Sequence, residues 1–368
     1  MRVVVPAEVR AGERRVAAMP DSIPKLLRSG VELVVESGAG RHARISDADY
    51  EAAGAQVRAG DVLADADAVL HVSPLQPEQI ARLRRGAVTV GFAAPTANQA
   101  GVAAARDAGV TAFSLELLPR ISRAQSMDAL TSQALVAGYR AALVAADRLP
   151  KFLPLLMTAA GTIPPAQFVI LGAGVAGLQA IATAKRLGAV VQAYDVRPAS
   201  ADEVRSMGAK FIKLELESLE AAGGYAREMT EERAAKQREL LTPYITAADA
   251  VITTASVPGR RAPLLVTRAM VETMKPGSVV IDLAAESGGN VEGSVAGEEV
   301  EIGGALVWGG QDVPSQMPLD ASRLFARNVV DLLLLMVKDG EVTPDWEDEI
   351  TAGCWVTRDG EVREGVAV

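Results

Sequence analysis

The glycine-rich stretch "GAGVAG", residues 172–177, constrains the fold more than any other feature of this chain. It follows the apolar stretch "FVIL" and precedes "LQAIATAKRLG", which predicts a strand, a tight turn and a helix in that order. A G-x-G-x-x-G pattern in this context predicts a dinucleotide-binding βαβ unit. Gly172 would permit the turn, Gly174 would let the backbone approach a pyrophosphate, and Gly177 would allow close packing of the helix on the strand.

A carboxylate follows at the position where such a unit holds a ribose. Asp195 lies 23 residues after Gly172, at the end of the strand-like stretch "VVQAYD". A carboxylate there accepts hydrogen bonds from a ribose 2′-hydroxyl and repels a 2′-phosphate, which favours NAD(H) over NADP(H). Arg197 weakens this preference, because a nearby arginine can accommodate the extra phosphate.

The start of the predicted helix is the expected phosphate site. The unpaired N–H groups and the positive end of the helix dipole both favour an anion there. The predicted nucleotide contacts of this region are Gly172, Gly174, Val175, Ala176, Gly177, Asp195, Val196 and Arg197. The alternative is a glycine turn in a Rossmann-like lobe that binds no nucleotide.

Short apolar runs alternate with helical patterns along both halves of the chain. Examples are "RVVVP", "VELVVES" and "AVTVGFAAP" in the first half, and "ADAVITTA" and "GSVVIDLAAE" in the second. Apolar runs bounded by Gly, Pro or Asp are typical of buried parallel strands, and their alternation with helices indicates βαβ units. We therefore predict an α/β fold with two doubly wound Rossmann-like lobes, mostly parallel sheets, and long helices that join the lobes.

The length of 368 residues exceeds what a single hydrophobic core usually supports, so two domains are expected. A long helix is predicted from about Met127 to Leu149, and a second, very apolar one from about Ala321 to Val337. The second helix has to be buried, and we expect it to return the chain to the first lobe. The predicted domains are a discontinuous N-terminal lobe, residues 1–127 and 318–368, and an NAD(H)-binding domain, residues 128–317.

Composition excludes several other classes of protein. The net charge of −9 argues against a nucleic-acid partner, which would favour a basic surface. Cys354 is the single cysteine, which rules out an internal disulfide and fits a reducing compartment. His42 and His71 are far apart in the sequence, and with one thiol they predict no metal site.

No membrane insertion is expected of this chain. The stretch "VVDLLLLMVKDG" is interrupted by Asp331 and closed by Lys338, whereas a span needs about 20 apolar residues. The N-terminal stretch "MRVVVPAEVRAGERR" becomes charged too early for a signal peptide. We therefore expect a cytoplasmic protein.

Five segments occur in an order that resembles the alanine dehydrogenase and proton-translocating transhydrogenase superfamily over nearly the whole chain. They are "ERRVAAMP", "GAGVAGLQA", "YDVRP", "VITTASVPG" and "IDLAAESGGN". Two further segments, "RAQSMDALTSQ" and "AGGYAREM", are similar to the NAD(H)-binding component of the transhydrogenase branch. This resemblance implies direct hydride transfer from NADH to NADP⁺ on a partner, coupled to proton translocation. It also implies a homodimer, an NADP(H)-binding component and a membrane-embedded component as partners, and a peripheral position on the cytoplasmic (or matrix-equivalent) face of that complex.

The same resemblance places the polar stretch 118–133 beside the nicotinamide. Its expected members are Arg120, Gln125 and Asp128 as the catalytic group, with Thr131 one helical turn further on. Hydride transfer between two nicotinamides needs alignment and no protein acid or base. Asp128 could orient Arg120 through a charge-assisted hydrogen bond. The alternative is that this stretch is only a helix start, with Ser126 or Asp128 as its cap.

A second segment, "AAGGYAREMTEERAAKQ", resembles a mobile loop that folds over bound nucleotide. The resemblance implies that Gly224, Tyr225, Gln237 and Ser256 lie near the cofactor. Without the resemblance, this segment is typical of a flexible loop that leads into a solvated helix. Asp282 follows a predicted strand and Glu286 lies just beyond, and whether either contacts substrate or only shapes the cleft stays open.

The dehydrogenase branch of the superfamily provides the main alternative function. Arg15 matches the arginine with which alanine dehydrogenases bind substrate, but Val72 and Gly91 stand where those enzymes have a lysine and a histidine. Neither side chain can transfer a proton or polarise a carbonyl group. His71 is one residue from the lysine position, which turns its side chain to the other face of the sheet. An NAD-binding sensor or scaffold is a third possibility, which the cluster around Gln125 argues against.

Overall fold

The computed structural model describes residues 1–215, 231–256 and 260–366. The chain divides into two compact units, Met1–Gln133 with Pro314–Val368 (unit 1) and Ala134–Val313 (unit 2). The domain boundaries at residues 127 and 318 stay a prediction. Gly224 and Tyr225 lie outside the described residues.

Nineteen strands occur in the described residues, numbered in chain order. They are β1 (Arg2–Val5), β2 (Glu32–Glu36), β3 (Gln56–Arg58), β4 (Ala68–Leu70), β5 (Val88–Gly91), β6 (Thr111–Ser114), β7 (Leu156–Thr158), β8 (Gly161–Ile163), β9 (Gln167–Leu171), β10 (Val190–Tyr194), β11 (Lys210–Phe211), β12 (Ala250–Thr253), β13 (Val279–Asp282), β14 (Glu299–Ile302), β15 (Ala305–Gly309), β16 (Val337–Lys338), β17 (Glu341–Val342), β18 (Trp355–Arg358) and β19 (Glu361–Val362).

The α-helices are numbered in the same way. They are α1 (Ile23–Arg28), α2 (Asp47–Ala52), α3 (Pro77–Ile80), α4 (Gln99–Ala108), α5 (Ala129–Arg148), α6 (Val175–Arg186), α7 (Ser200–Ser206), α8 (Glu231–Ala247), α9 (Arg268–Glu272), α10 (Pro318–Leu335) and α11 (Glu349–Cys354). The two long helices expected from the sequence are α5 and α10. None of the helices that the structure describes combines the length and apolar character needed to cross a bilayer.

The sheet of unit 1 is doubly wound. Its strand order is β19-β18-β6-β5-β4-β1-β2-β3. The six strands β6, β5, β4, β1, β2 and β3 pair in parallel with their neighbours. In this sheet β18 pairs antiparallel with both β6 and β19. The chain starts at β1 and winds first to one side and then to the other, so β1 and β4 meet at the switch point. The loops after β1 and β4 therefore lie at the edge where α/β proteins place their sites.

Unit 2 repeats this arrangement around a second sheet. Its strand order is β11-β10-β9-β12-β13-β15-β14, and β14 alone pairs antiparallel within that sheet. The switch point lies between β9, which precedes the glycine-rich turn, and β12. The α/β class with mostly parallel, Rossmann-like sheets is thereby confirmed.

The helix α10 belongs to the core of unit 1. Phe325, Val329 and Leu333 on one face of α10 are fully buried in the cluster that also contains Val3 and Val5 of β1. Complete burial of one such side chain contributes about 1.5–3 kcal/mol to folding. This burial explains why the C-terminal part of the chain returns to the N-terminal sheet.

Candidate functional site

The glycine-rich turn after β9 contains three glycines with three different surroundings. Gly172 has φ +105°, a conformation that side chains disfavour. A Cβ at Gly177 would lie 1.8 Å from the carbonyl oxygen of Gly172, so any side chain there would push α6 off the turn. A Cβ at Gly174 would meet no atom of the described residues within 4 Å. The fold thus requires glycine at two of the positions, whereas glycine at Gly174 leaves open space beside the backbone.

The first turn of α6 has backbone N–H groups that are not capped by any side chain in the part of the chain that the structure describes. Gly174 is the N-cap, in extended conformation, and no side chain among the described residues caps the helix. Val175 is exposed and Ala176 is half-buried. In an α-helix the first N–H groups have no partner within the helix, so an anion can bind them. Gly138 of α5 lies close by, since a Cβ there would stand 2.0 Å from the carbonyl oxygen of Ala176.

Asp195, directly after β10, is hydrogen-bonded to the glycine-rich turn. Its Oδ2 accepts a hydrogen bond from the backbone N–H of Ala173 at 2.7 Å. Its Oδ1 accepts hydrogen bonds from the backbone N–H and the Nε of Arg197, at 2.8 and 3.0 Å. Val196, between them, is partly buried against the core. The carboxylate and the glycine-rich turn therefore form one hydrogen-bonded unit at the switch point.

Two further predicted nucleotide contacts, Gln237 and Ser256, lie on α8 and in the loop after β12. Gln237 is only 2% exposed, and its Nε2 has no hydrogen-bond partner among the described residues. A buried amide donor without a partner is costly, and a bound group can relieve that cost. Thr254 donates a hydrogen bond from Oγ1 to the carbonyl of Gly172 at 3.1 Å, and Ser256, two residues on, is exposed.

The polar stretch of unit 1 forms a 3₁₀ helix, Ser122–Met127, followed by α5. Asp128 caps α5, because its two carboxylate oxygens accept hydrogen bonds from Thr131 N and Oγ1 at 2.9 and 2.6 Å. Capping therefore accounts for Asp128 in this structure, and the pairing of Asp128 with Arg120 stays a prediction. Arg120, Gln125 and Thr131 are exposed. Their side chains are accessible to a ligand.

One residue that supports this stretch was not found from the sequence. Asn328 of α10 donates from Nδ2 to the carbonyl of Ser126 at 2.7 Å and accepts from Ser132 Oγ at 2.7 Å. It thus ties the 3₁₀ helix to the start of α5. Asn328 lies 202 residues from Ser126, and nothing in its own apolar surroundings indicated this pairing.

Arg15, the residue aligned with a substrate-binding arginine, has its donors engaged within unit 1. Its Nε and Nη2 donate to the Glu13 carboxylate at 2.8 and 2.7 Å, and its Nη1 donates to Gln133 Oε1 at 2.9 Å. Burial alone would raise the pKa of Glu13, but hydrogen bonds from Arg15 and Ser315 bring it to about 2. Arg15 is only 8% exposed, so this pair is internal.

Val72 and Gly91, which stand where alanine dehydrogenases have a lysine and a histidine, are tightly packed. Val72 is fully buried. A Cβ at Gly91 would stand 2.2 Å from the carbonyl oxygen of His71 and 2.6 Å from its Nδ1, which leaves no space for a side chain. His71 itself is buried, with Nδ1 2.8 Å from the carbonyl oxygen of Ser73, and burial lowers its pKa to about 4. A neutral, enclosed imidazole is not available to a substrate on the opposite face.

Asp282 and Glu286 differ in their surroundings. Asp282 is fully buried, and its carboxylate accepts hydrogen bonds from Thr253 and from the loop after β13. Glu286 is exposed and accepts a hydrogen bond from the N–H of Asp312 at 3.1 Å. The Asp282 carboxylate is therefore engaged inside unit 2. Within residues 1–215, 231–256 and 260–366, no three His, Cys, Asp or Glu side chains are grouped so as to hold a metal ion.

A doubly wound sheet, a glycine-rich turn at its switch point and a carboxylate bonded to that turn define a dinucleotide-binding α/β protein. The chain matches the family model described as "Alanine dehydrogenase/PNT, N-terminal domain" over residues 4–137, and the corresponding C-terminal domain over residues 141–365. The chain belongs to the alanine dehydrogenase/PNT family.

Known proteins of both branches resemble this chain. The first part of the NAD(P) transhydrogenase alpha subunit of Rhodospirillum rubrum is 46% identical over 374 residues, which cover 98% of this chain and 97% of the relative. The structure of a transhydrogenase from Sinorhizobium meliloti matches with a TM-score of 0.91 at 45% identity, over 99% of this chain and 100% of that one. The alanine dehydrogenase of Mycobacterium tuberculosis is 35% identical over 299 residues, which cover 80% of this chain and 75% of the relative.

Proposed function

We propose that this chain is the NAD(H)-binding component of a proton-translocating NAD(P) transhydrogenase. Hydride passes directly from NADH on this chain to NADP⁺ on a partner component, and the complex couples that transfer to proton translocation. The observation that carries the proposal is the contrast between the two switch points. In unit 2 the described residues leave space and uncapped donors at Gly174, whereas the corresponding edge of unit 1 is filled by the Arg15–Glu13 pair.

The residues present fit a bound NAD(H). The N–H groups at the start of α6 hold the pyrophosphate, and the space at Gly174 lets it approach the backbone. Asp195 accepts the ribose hydroxyls, and Gln237 supplies an amide donor that lacks a partner among the described residues. Ser256, Gly224 and Tyr225 complete the set by family resemblance. The cofactor supplies the hydride, and the chain supplies binding and orientation.

The catalytic work of the chain is alignment. Hydride transfer from a reduced to an oxidised nicotinamide would need no protein acid or base, so positioning by the chain is the main requirement. Arg120 and Gln125 are exposed polar groups that can hydrogen-bond to the carboxamide end of the cofactor. Asp128 and Thr131 hold the start of α5 on which these groups depend.

The competing function, amino-acid oxidation, lacks its chemistry here. Arg15 is engaged by an internal carboxylate, and Gly91 has no room for a histidine side chain. The test is the absorbance of reduced nicotinamide when the chain is incubated with NAD⁺ and a panel of amino acids that includes alanine. We expect no NADH to form, although NADH binding is detected by fluorescence. NADH formation at an enzyme-like rate would establish the dehydrogenase instead, and absence of NADH binding would remove the cofactor site.

We also propose a homodimer that works at the cytoplasmic face of a membrane complex, docked to the NADP(H)-binding and membrane-embedded components. An exposed apolar surface beside the β7–β8 hairpin supports the homodimer. Phe152, Leu155 and Met157 are 56%, 52% and 78% exposed. Surfaces of this kind are typical of protein interfaces. Met157→Asp should shift the sedimentation of the chain to that of a monomer, and Val9→Asp, at an exposed position of unit 1, should not.

A further inference from the structure

A buried amide in unit 2 holds the loop that carries Ser256. Asn290 is fully buried and follows β13. Its Nδ2 donates to the carbonyl oxygens of Ala255 and Pro263 at 2.9 and 2.8 Å, and its Oδ1 accepts from the N–H of Ala255 at 3.1 Å. One side chain thus satisfies both backbone groups of Ala255 and fixes Pro263 as well. Only an amide side chain offers two donors and an acceptor in so small a space.

The backbone at Asn290 is in turn fixed by hydrogen bonds to the Asp282 carboxylate. The Asp282 carboxylate accepts hydrogen bonds from the backbone N–H groups of Asn290 and Val291 at 3.1 and 3.2 Å. It also accepts one from Thr253 Oγ1, at the end of β12, at 3.0 Å. A single buried carboxylate, at the end of β13, is therefore hydrogen-bonded both to the end of β12 and to the loop that contains Asn290.

The residues next to Ala255 pack against the glycine-rich turn. A Cβ at Gly172 would stand 2.6 Å from Thr254 Oγ1 and 3.1 Å from the N–H nitrogen of Ala255. Thr254 also donates to the carbonyl of Gly172 at 3.1 Å. A displacement of Ala255 would consequently move both the glycine-rich turn and the exposed Ser256.

We infer that Asn290 is a positioning residue for the dinucleotide, acting through the backbone of Ala255. Asn290 acts through the backbone, since its amide is engaged by Ala255 and Pro263. It orients the strand-end loop so that the Gly172 turn and Ser256 keep the geometry that the pyrophosphate half of the cofactor requires. This inference rests on the proposed function, because it assumes that NAD(H) binds at this turn.

The test compares Asn290→Ala and Asn290→Asp by calorimetric titration with NAD⁺ at pH 8 and pH 5.5. Asn290→Ala removes all three hydrogen bonds and should weaken NAD⁺ binding about tenfold at both pH values, a change of about 1.4 kcal/mol in binding free energy. Asn290→Asp places an ionised carboxylate against two carbonyl oxygens at pH 8. At pH 5.5 the acid, whose pKa burial raises, regains a proton and a donor, so binding should recover. If the contacts of Asn290 did not position the dinucleotide, NAD⁺ affinity would not follow the protonation of this aspartate.

Matched controls separate the outcomes. Asn98→Ala and Asn98→Asp change the residue that caps α4 in unit 1, and they should leave NAD⁺ binding unchanged at both pH values. If Asn290→Ala does not fold, Asn290→Ser, which retains one hydroxyl for Ala255, replaces it. Unchanged NAD⁺ affinity in the Asn290 variants, or an equal loss at both pH values for Asn290→Asp, would overturn the inference alone. A wild-type chain that binds no NAD⁺ would overturn the proposed function with it.

Discussion

Arg15 and Glu13 form a closed ion pair inside unit 1, with two hydrogen bonds of 2.8 and 2.7 Å between the guanidinium and the carboxylate. The arginine that alignment matches to a substrate-binding residue therefore already holds a carboxylate, and that carboxylate belongs to the chain itself. Ser315 and Ser73 donate to the same carboxylate, at 2.6 and 3.1 Å. The pair is thus a structural element of the switch point of unit 1.

Removal of Glu13 should destabilise the protein strongly. Glu13→Ala leaves the buried Arg15 guanidinium without its counter-ion, and removing one partner of a buried pair costs about 3–5 kcal/mol. The free energy of unfolding, measured by urea denaturation, should fall by that amount. Asp202→Ala breaks the exposed pair with Arg205 and should change it little. Equal, small changes in the free energy of unfolding for the two substitutions would show that the Arg15–Glu13 pair does not stabilise unit 1.

Gly174→Ala and Gly177→Ala should act on different properties. An alanine at 174 would meet no atom of the described residues within 4 Å, so the melting temperature should persist. NADH binding should weaken about tenfold or more, because the methyl group would contact the phosphates. An alanine at 177 would collide with the carbonyl of Gly172, so the melting temperature should fall sharply. Thermal unfolding and NADH fluorescence titration measure the two effects. NADH binding by Gly174→Ala as tight as that of the wild type would refute a phosphate site at this turn.

Asp195→Asn should reduce the preference for NADH over NADPH. The substitution removes the negative charge that repels a 2′-phosphate and that forms the ion pair with Arg197, so the charge of Arg197 becomes available to that phosphate. The ratio of the two dissociation constants should move toward NADPH by about tenfold. An unchanged ratio would remove the role of Asp195 in cofactor choice.

Glu8 should give the stability of the chain a specific pH dependence. Its carboxylate accepts hydrogen bonds from the N–H groups of Val72 and Ser73 at 2.6 and 3.0 Å, but burial raises its pKa from 4.5 to about 7. The folded state then binds a proton that the unfolded state has lost, so the free energy of unfolding falls as pH rises from 4.5 to 7. The stability lost in this way by pH 7 is about 3 kcal/mol.

Glu8→Gln should abolish that slope. His71, whose pKa burial lowers to about 4, contributes the opposite slope between pH 4 and 6.5, so the variant has to be compared with the wild type at each pH. Urea denaturation at intervals from pH 4.5 to 8 gives the difference. A difference between variant and wild type that does not change with pH would contradict the raised pKa of Glu8.

Gln125→Asn should separate binding from alignment. Asparagine keeps the amide and shortens the side chain by one methylene, so a group that aligns the nicotinamide would be misplaced. Hydride transfer to the NADP(H)-binding component should slow at least tenfold while NADH affinity changes less than threefold, by the sensitivity of positioning to small displacements. Equal losses in both quantities would mean that Gln125 binds the cofactor and does not align it.

Local sequence patterns predicted much of unit 2. The turn after β9, the helix α6 and the position of Asp195 after β10 follow from glycine spacing and from the alternation of apolar runs, which depend on neighbours in the chain. The same kind of pattern located the long helices to within a few residues. The spacing of apolar residues indicates which face of a helix or strand is buried.

The partners of buried polar groups could not be predicted in this way. Arg15 meets Gln133 across 118 positions, and Glu13 meets Ser315 across 302. Asn290 reaches Ala255 and Pro263 through side-chain geometry that leaves no periodic trace in the sequence. Such contacts decide whether a polar side chain is available to a ligand or is engaged in hydrogen bonds within the protein. The engaged state of Arg15 was therefore visible only in the folded chain.

The most direct test of the central claim follows the hydride itself. The purified chain is mixed with the NADP(H)-binding component, NADP⁺ and NADH that carries deuterium at the transferred position, and the nucleotides are analysed by mass spectrometry. We predict that deuterium appears in NADPH without exchange with water, and only when both proteins are present. Absence of labelled NADPH from the complete mixture, with NADH bound to the chain, would contradict direct hydride transfer.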